Sequence, residues 1–327
     1  MIYPLTPENI KKAAALLASG ETLAFPTETV YGLGANAFNA EAVAKIFEIK
    51  GRPSFNPLIV HLYCETQLQE VIDLNASVAA LELLDKIKIF WPGPLSLVLP
   101  KNPRIPAVVT AGLDTVAVRF PSHPGARALL EACKFPVAAP SANLSNRVSP
   151  TTAQHVLDEL GDRVDFILDG GACQVGLEST VLSLVESPPR LLRPGAITLE
   201  DLTSHLGKIE SGPAPHQQHT PQGLPSPGML KRHYAPRTKI VLRGQIEPKD
   251  YPPKVGLISF GGTSADSNGF TIVTTISHHQ DLDEVASKLF GAIHAMDNQN
   301  LDLIVVDTCA EKGLGLAIMD RLKRAAA

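Results

Sequence analysis

Between Lys208 and Pro236 the chain loses its apolar periodicity. Six prolines and three glycines fall in this stretch, and both residue types interrupt helices and strands rather than extend them. A continuous core cannot run through such a segment. It reads as a linker or a long ordered crossover, and it divides the chain. The 327 residues also exceed the roughly 250–300 at which a single core stops growing. The expected organisation is a first unit over residues 1–207, a Pro-rich linker over 208–238 and a second unit over 239–327.

Thr6-Pro7-Glu8 opens a helix, with a Thr cap, proline at the first helical position and an acidic first turn. Ile10, Ala13, Ala14 and Leu17 recur at helical spacing, and Gly20 ends the run. Asn39 caps a second helix with a stripe of Val43, Ile46 and Phe47, stopped at Gly51. Short apolar runs at 23–25, 58–62, 96–100, 116–120, 137–139, 166–168, 179–184 and 190–193 read as strands. Helices fit 79–90, 125–133 and 151–160, and Thr198 caps one more. This mixture predicts an α/β layer structure rather than a bundle or a sandwich. In the second unit, strands at 239–242, 254–260, 270–274 and 301–307 alternate with helices over 281–297 and 314–324. That is the pattern of a small, doubly wound, Rossmann-like parallel sheet.

Composition narrows the function. Hydrophobic residues make up 44%, enough for a packed interior, and no apolar run approaches the ~20 residues that span a bilayer. The N-terminal residues lack the h-region of a signal peptide. Cys64, Cys133, Cys173 and Cys309 are scattered with no Cys-x-x-Cys pair, against a zinc site or disulfide framework and in favour of a reducing, cytoplasmic setting. Residues 1–208 hold 17 Lys and Arg against 21 Asp and Glu, which is the whole formal charge of −4. Neither unit has the basic balance of a protein built mainly to grip nucleic acid.

Phe25–Leu62 crowds polar groups into what otherwise reads as a buried strand–helix–strand unit, and buried polar groups cost free energy unless paired. Lys50 and Arg52 bracket the helix stop. They suit the negative end of the helix dipole, and equally an anion site, with Arg as a planar fork and Lys as a point charge. His61 on its apolar strand, Asn56 before Pro57, and Thr27 and Thr29 around Glu28 each have an ordinary structural reading. Gly32-Leu33-Gly34 is too short for a dinucleotide fingerprint. A second constellation, Ser141, Asn143, Ser145, Ser149 and Thr151, leads into a helix N-terminus, where phosphates bind well. A third comprises Thr115, Arg119, Ser179, Thr180 and Arg193, several of them at strand ends, where α/β sheets form ligand crevices. No nucleophile motif, metal-ligand spacing or Walker A sequence is present. Donors and cations without a covalent catalyst suit nucleotidyl transfer, in which positioning and charge neutralisation dominate.

The strings PTETVYGLGANA, KGRP-x-x-NPLIVH, PSAN, GLESTVL and RPGAI resemble the YrdC-like superfamily. With SPGMLKRHYAP and the second α/β unit, the chain resembles its long two-domain form, the L-threonylcarbamoyladenylate synthases. The resemblance implies a twisted mixed sheet with a concave, positively lined cavity. It implies a nucleotidyltransferase that makes threonylcarbamoyl-AMP and pyrophosphate from L-threonine, bicarbonate and ATP with Mg²⁺. The product would pass to a threonylcarbamoyl transferase acting on adenosine 37 of tRNA. Weak RNA binding is compatible with the concave surface; a membrane role is not expected. Carried over by position, Arg52, Asn56, Thr115, Ser141, Asn143, Ser149, Arg193 and Tyr234 would serve ATP. Thr29, His61, Arg119, Ala139 and Ser179 would hold L-threonine. Lys50 and Arg52 would be catalytic, no residue would be a metal ligand, and the linker with Tyr234 would act as a lid.

Overall fold

The computed structural model describes residues 1–212, 232–261 and 269–327. The expected linker therefore lies outside the described residues from 213 to 231. In the first unit the strands are β1 (Ile2–Pro4), β2 (Leu23–Phe25), β3 (Gly32–Asn36), β4 (Ile59–His61), β5 (Leu95–Pro100), β6 (Thr115–Arg119), β7 (Val137–Ala139), β8 (Ile167–Asp169), β9 (Thr180–Ser183), β10 (Arg190–Arg193) and β11 (Glu210–Ser211). They form one sheet in the order β1-β8-β2-β3-β7-β4-β6-β5-β9-β10-β11, with parallel and antiparallel pairs mixed.

Its helices are α1 (Pro7–Ala18), α2 (Ala40–Lys50), α3 (Glu65–Val71), α4 (Val78–Ile87), α5 (Pro124–Cys133), α6 (Ala153–Leu160) and α7 (Leu199–Leu206). The expected caps form: Thr6 accepts from the Asn9 amide, Asn39 from Glu41 and Ala42, and Thr198 makes a capping box with Asp201. Gly51 closes α2 in the left-handed region at φ 57°. Apolar residues of α2, α4, α6 and α7 share one core, including Val43, Ile46, Leu84, Val156 and Leu202. Leu17 of α1 and Leu129 of α5 share another with β2, β7 and β8.

The Phe25–Leu62 run differs from the expected strand–helix–strand unit. Gly32–Asn36 adds a strand, antiparallel to β2 on one side and to β7 on the other. Its glycines hide it from a pattern of apolar alternation, yet they are what the packing needs. A Cβ on Gly34 would stand 2.9 Å from both the Phe25 ring and Val137. β1 and α3 were likewise not anticipated, and the helix expected to reach Phe90 yields to a 3₁₀ turn after Ile87.

The second unit holds β12 (Ile240–Leu242), β13 (Val255–Ser259), β14 (Ile272–Thr275) and β15 (Leu303–Val306), with α8 (Leu282–Asp297) and α9 (Leu314–Ala325). Its sheet order is β12-β15-β13-β14, all parallel. Strand alternation sends Ile240, Leu242, Ile258, Ile304 and Val306 into a core with residues of both helices. The opposite face, with Val241, Leu257 and Val305, is covered by Ile246, Tyr251 and Phe270. Both helices thus serve one face, where a doubly wound sheet would place them on two.

That helical core also takes in Val30, Val148, Leu177 and Tyr234 from the rest of the chain, so the two units share an apolar cluster. Gly176 sits at its closest approach. Its φ is +72°, and an added Cβ would stand 2.6 Å from the Ala286 carbonyl oxygen on α8. Gly176→Ala is expected to lose about 2–5 kcal/mol from combined backbone strain and overpacking. Gly171→Ala, at φ +82° with open space around it, should lose only the backbone part, about 1–2 kcal/mol. Urea denaturation of the two variants compares them, and equal losses would contradict the close packing.

Candidate functional site

The mixed sheet brings its polar strand ends to one place. β4 and β6 run parallel with His61 opposite Arg119, so both project from the carboxyl ends of neighbouring strands, where crevices form. The loop joining β2 to β3 supplies Thr29, whose Oγ1 accepts from Arg119 Nη1 at 2.8 Å and pairs with Thr27 Oγ1 at 2.8 Å. Arg119 Nη2 lies 2.6 Å from Glu28 Oε1, and its Nε donates to the Gly93 carbonyl. Burial pushes the Glu28 carboxyl up, but the charge and hydrogen bond of Arg119 outweigh it and hold the group below its ordinary range. His61 is held down to about 3 by burial and then by Arg119, so it works as a neutral imidazole.

The other half of the wall is cationic. Arg193 Nε donates to the Ser179 carbonyl at 3.0 Å and Nη2 to Ser179 Oγ at 3.1 Å, while Ser179 Oγ also pairs with Ser96 Oγ. Arg52 follows the Gly51 stop and curls back, donating to the carbonyls of Asn56 and Pro57 at 3.0 and 2.7 Å. Burial, and after it Arg193, lower Arg52 to about 9. His233 registers the combined field: burial comes first, then Arg52, Lys50, Arg193 and Arg321 all push its imidazole well below the ordinary value.

A cavity of about 50 Å³ lies between these halves. Its lining includes Thr29, Arg52, His61, Arg119, Ala139, Ser141, Glu178, Ser179, Arg193, His233 and Tyr234. Nine of the residues expected to serve a substrate therefore converge. The others stand behind the wall or apart from it. Lys50 is 2% exposed and donates to the carbonyls of Ser141, at 2.6 Å, and Asn143, which ties the Ser/Asn loop onto the end of α2. Burial, then Arg52, shift its ammonium far down. Ser149 Oγ donates to Glu178. The Asn143 amide donates to the Leu144 and Arg147 carbonyls. Asn56 is fully buried. Thr115 sits at the opposite end of β6 from Arg119, beside Pro57 and Leu58 in a separate hollow.

Several buried polar atoms around this cavity have no hydrogen-bond partner among the described residues: both side-chain atoms of Asn56, His61 Nδ1, Asn143 Oδ1, His233 Nδ1 and the Tyr234 hydroxyl. Such atoms are expensive in a core and mark a surface built to meet something polar. Tyr234 is fully buried at φ 62°, a strained backbone that only surrounding packing sustains.

Sequence reasoning missed the carboxylates. Glu28, between Thr27 and Thr29, and Glu178, just before Ser179, both lie inside the motifs whose hydroxyls stand out. It also missed Arg321 of α9, which donates to Glu178 Oε2 at 2.8 Å. The available signal was an arginine on the apolar stripe of Leu314, Ala317, Ile318 and Leu322.

Beside Ser149, the rings of His155 (α6) and His294 (α8) stack at 4.1 Å, and His294 Nε2 donates to the Ser149 carbonyl. Burial, then His155, hold His294 down at about 4. The unfolded chain takes up this proton near pH 6.5, the folded one only near 4, so stability should fall as pH drops through that window. The slope is at most about 1.4 kcal/mol per pH unit for one group. His294→Gln should reduce the slope by up to that amount in denaturation measured from pH 7 to 4.5, the other buried histidines keeping the rest; an unchanged slope would place the acid sensitivity elsewhere.

Comparison with known proteins adds the following. The Sua5/YciO/YrdC family, described as "Telomere recombination", matches residues 15–195, and "Threonylcarbamoyl-AMP synthase, C-terminal domain" matches residues 197–327. The threonylcarbamoyl-AMP synthase of Pyrococcus abyssi is 44% identical over 97% of this chain and 94% of its own length. That of Bacillus subtilis is 43% identical over 97% and 93%. The crystal structure of P. abyssi Sua5 complexed with L-threonine superposes with a TM-score of 0.89 at 42% identity, covering 100% of this chain and 97% of that one. The E. coli YciO structure shares the fold of the first unit, with a TM-score of 0.50 over 60% of this chain and 95% of its own at 22% identity.

Proposed function

The chain belongs to the Sua5/YciO/YrdC family and continues into the threonylcarbamoyl-AMP synthase C-terminal domain, and on that premise we infer that it makes threonylcarbamoyl-AMP. The substrates are L-threonine, bicarbonate and ATP, pyrophosphate is released, and the product serves threonylcarbamoylation of tRNA. The observation that carries this reading furthest is the convergence of two residue sets on one cavity. Thr29, His61, Arg119, Ala139 and Ser179 are proposed as its amino-acid side, and Arg52, Ser141, Arg193 and Tyr234 as its nucleotide side; all nine line the cavity.

The proposed chemistry follows from this division. The neutral threonine amine attacks carbon dioxide and gives up a proton, or attacks bicarbonate and releases water, to give a carbamate. A carbamate oxygen then attacks the α-phosphorus of ATP, and pyrophosphate leaves. Arg52 and Arg193 neutralise the polyphosphate, and neutral His61 with Thr29 and Arg119 orients the amino acid. Lys50 acts by holding the Ser141–Asn143 backbone under the phosphates. Asn56, Asn143 and Ser149 support the nucleotide side from behind the wall, and Thr115 would meet only the far end of the nucleotide.

Magnesium is proposed to travel with ATP. Among the described residues no three His, Cys, Asp or Glu side chains form a metal cluster, and Glu178 at the cavity is committed to Arg321. The residues present do not fit a resident metal cage. His233 and Tyr234, at the end of the linker, line the cavity and narrow it to about 50 Å³, small beside a nucleotide. They are proposed to move as the lid, excluding water from a hydrolysable anhydride. Among the described residues no helix is long and apolar enough to cross a membrane. A cytoplasmic setting, transfer of the product to a threonylcarbamoyl transferase, weak RNA contact and the 1–207, 208–238 and 239–327 division complete the proposal.

Pyrophosphate release should require both L-threonine and bicarbonate; release at the same rate without threonine would overturn the reading. Arg52→Ala should lower turnover by about a hundredfold or more, as removal of a single charge-stabilising donor does. Because Arg52 also serves two carbonyls, the variant should lose about 1–3 kcal/mol of stability, which a thermal melt would register.

A further inference from the structure

Arg321 is charged, yet it lies on the apolar stripe of α9 and is 1% exposed. A buried guanidinium persists only where its donors are met. One arm meets Asp320 on its own helix, Nη1 to Oδ2 at 2.7 Å. The rest reach across the interface into the wall of the cavity. Nε donates to Glu178 Oε2 at 2.8 Å, and Nη2 donates to the carbonyls of Pro194 at 3.0 Å and Glu178 at 3.4 Å. The guanidinium carbon stands 5.3 Å from the centre of the Tyr234 ring, within cation–π range.

Each of these contacts sits one step from a group of the nucleotide side. Pro194 follows Arg193. Glu178 lines the cavity and accepts from Ser149. Tyr234 is the lid aromatic. A carboxylate in a pocket for polyphosphate is a liability unless it is neutralised, and Arg321 does this for Glu178 through Oε2 while the Ser149 hydroxyl occupies Oε1. We propose that Arg321 is a positioning residue for the ATP subsite, and that the second unit completes the active site by inserting it. The proposal rests on the nucleotide-side assignment made above.

Its test uses the full chain. Arg321→Lys keeps a buried cation, but a primary ammonium cannot span the Glu178 carboxylate and two carbonyls in the same fixed plane. The KM for ATP should rise about tenfold, matching the loss of charge-assisted hydrogen bonds. The KM for L-threonine should stay at the native value, while the melting temperature falls by the few degrees that the lost hydrogen bonds imply. An unchanged KM for ATP would overturn the proposal. So would an equal rise in both KM values, since that marks a merely structural role. If Arg321→Lys does not fold, Arg321→Met with Glu178→Gln leaves no unmatched buried charge at that pair. It should still weaken ATP selectively, because both carbonyls lose their donor; a native KM for ATP there would equally overturn the proposal. Calorimetric ATP binding to Arg52→Ala separates the two levels. Native affinity in that variant would sink the nucleotide-side assignment itself. Lost affinity there, beside native affinity in Arg321→Lys, would sink only the role of Arg321.

Discussion

Four arginines and a lysine are buried around a single small cavity, and the architecture follows from the need to satisfy them. Arg119 is met by Glu28, Thr29 and the Gly93 carbonyl. Arg193 is met by Ser179, Arg52 by the Asn56 and Pro57 carbonyls, Lys50 by the Ser141 and Asn143 carbonyls, and Arg321 by Glu178 and Pro194. Their partners come from stretches far apart in the chain. A sheet in which β4, β6, β7 and β9 lie close in space although they are remote in sequence is what lets them meet. Breaking any one pair leaves a buried charge or carbonyl exposed to an apolar surround, which is costlier than never having built it.

Much of this was legible beforehand. Caps at Thr6, Asn39 and Thr198, the stop at Gly51 and the parallel second sheet all rest on local chemistry, and local chemistry is written in neighbouring residues. The Arg119 and Arg193 strand ends were readable because charge at the end of an apolar run is conspicuous. What escaped was set by distance in sequence. β3 exists because two strands need a partner with no side chain at Gly34, not because Gly-Leu-Gly-Ala-Asn favours a strand. Lys50 suggested a phosphate ligand, whereas the fold spends its donors on two backbone carbonyls. Thr115 shares a strand with Arg119, but five residues of strand put the two at opposite ends. Arg321 was visible as a charge on an apolar helix face, and only the packing of the second unit reveals what it serves.

The second unit is asymmetric in a way that bears on its role. Both helices cover the sheet face turned toward the rest of the molecule, and their core admits Val30, Val148, Leu177 and Tyr234. An independent accessory domain would close its core on itself. Here one hydrophobic cluster runs from the second sheet to Tyr234, so the seating of that ring and the docking of α8 and α9 are parts of one packing problem.

The Glu28–Arg119 pair has an electrical consequence. With its arginine already balanced, the Arg119 side of the cavity carries little net charge and suits a zwitterion, which brings none. The opposite end gathers Arg52 and Arg193 over Lys50 and suits a polyanion. Added salt screens attraction between net charges and leaves a dipolar ligand largely untouched. The two substrates of one cavity should therefore part company in high ionic strength, with nucleotide capture weakening while threonine capture persists.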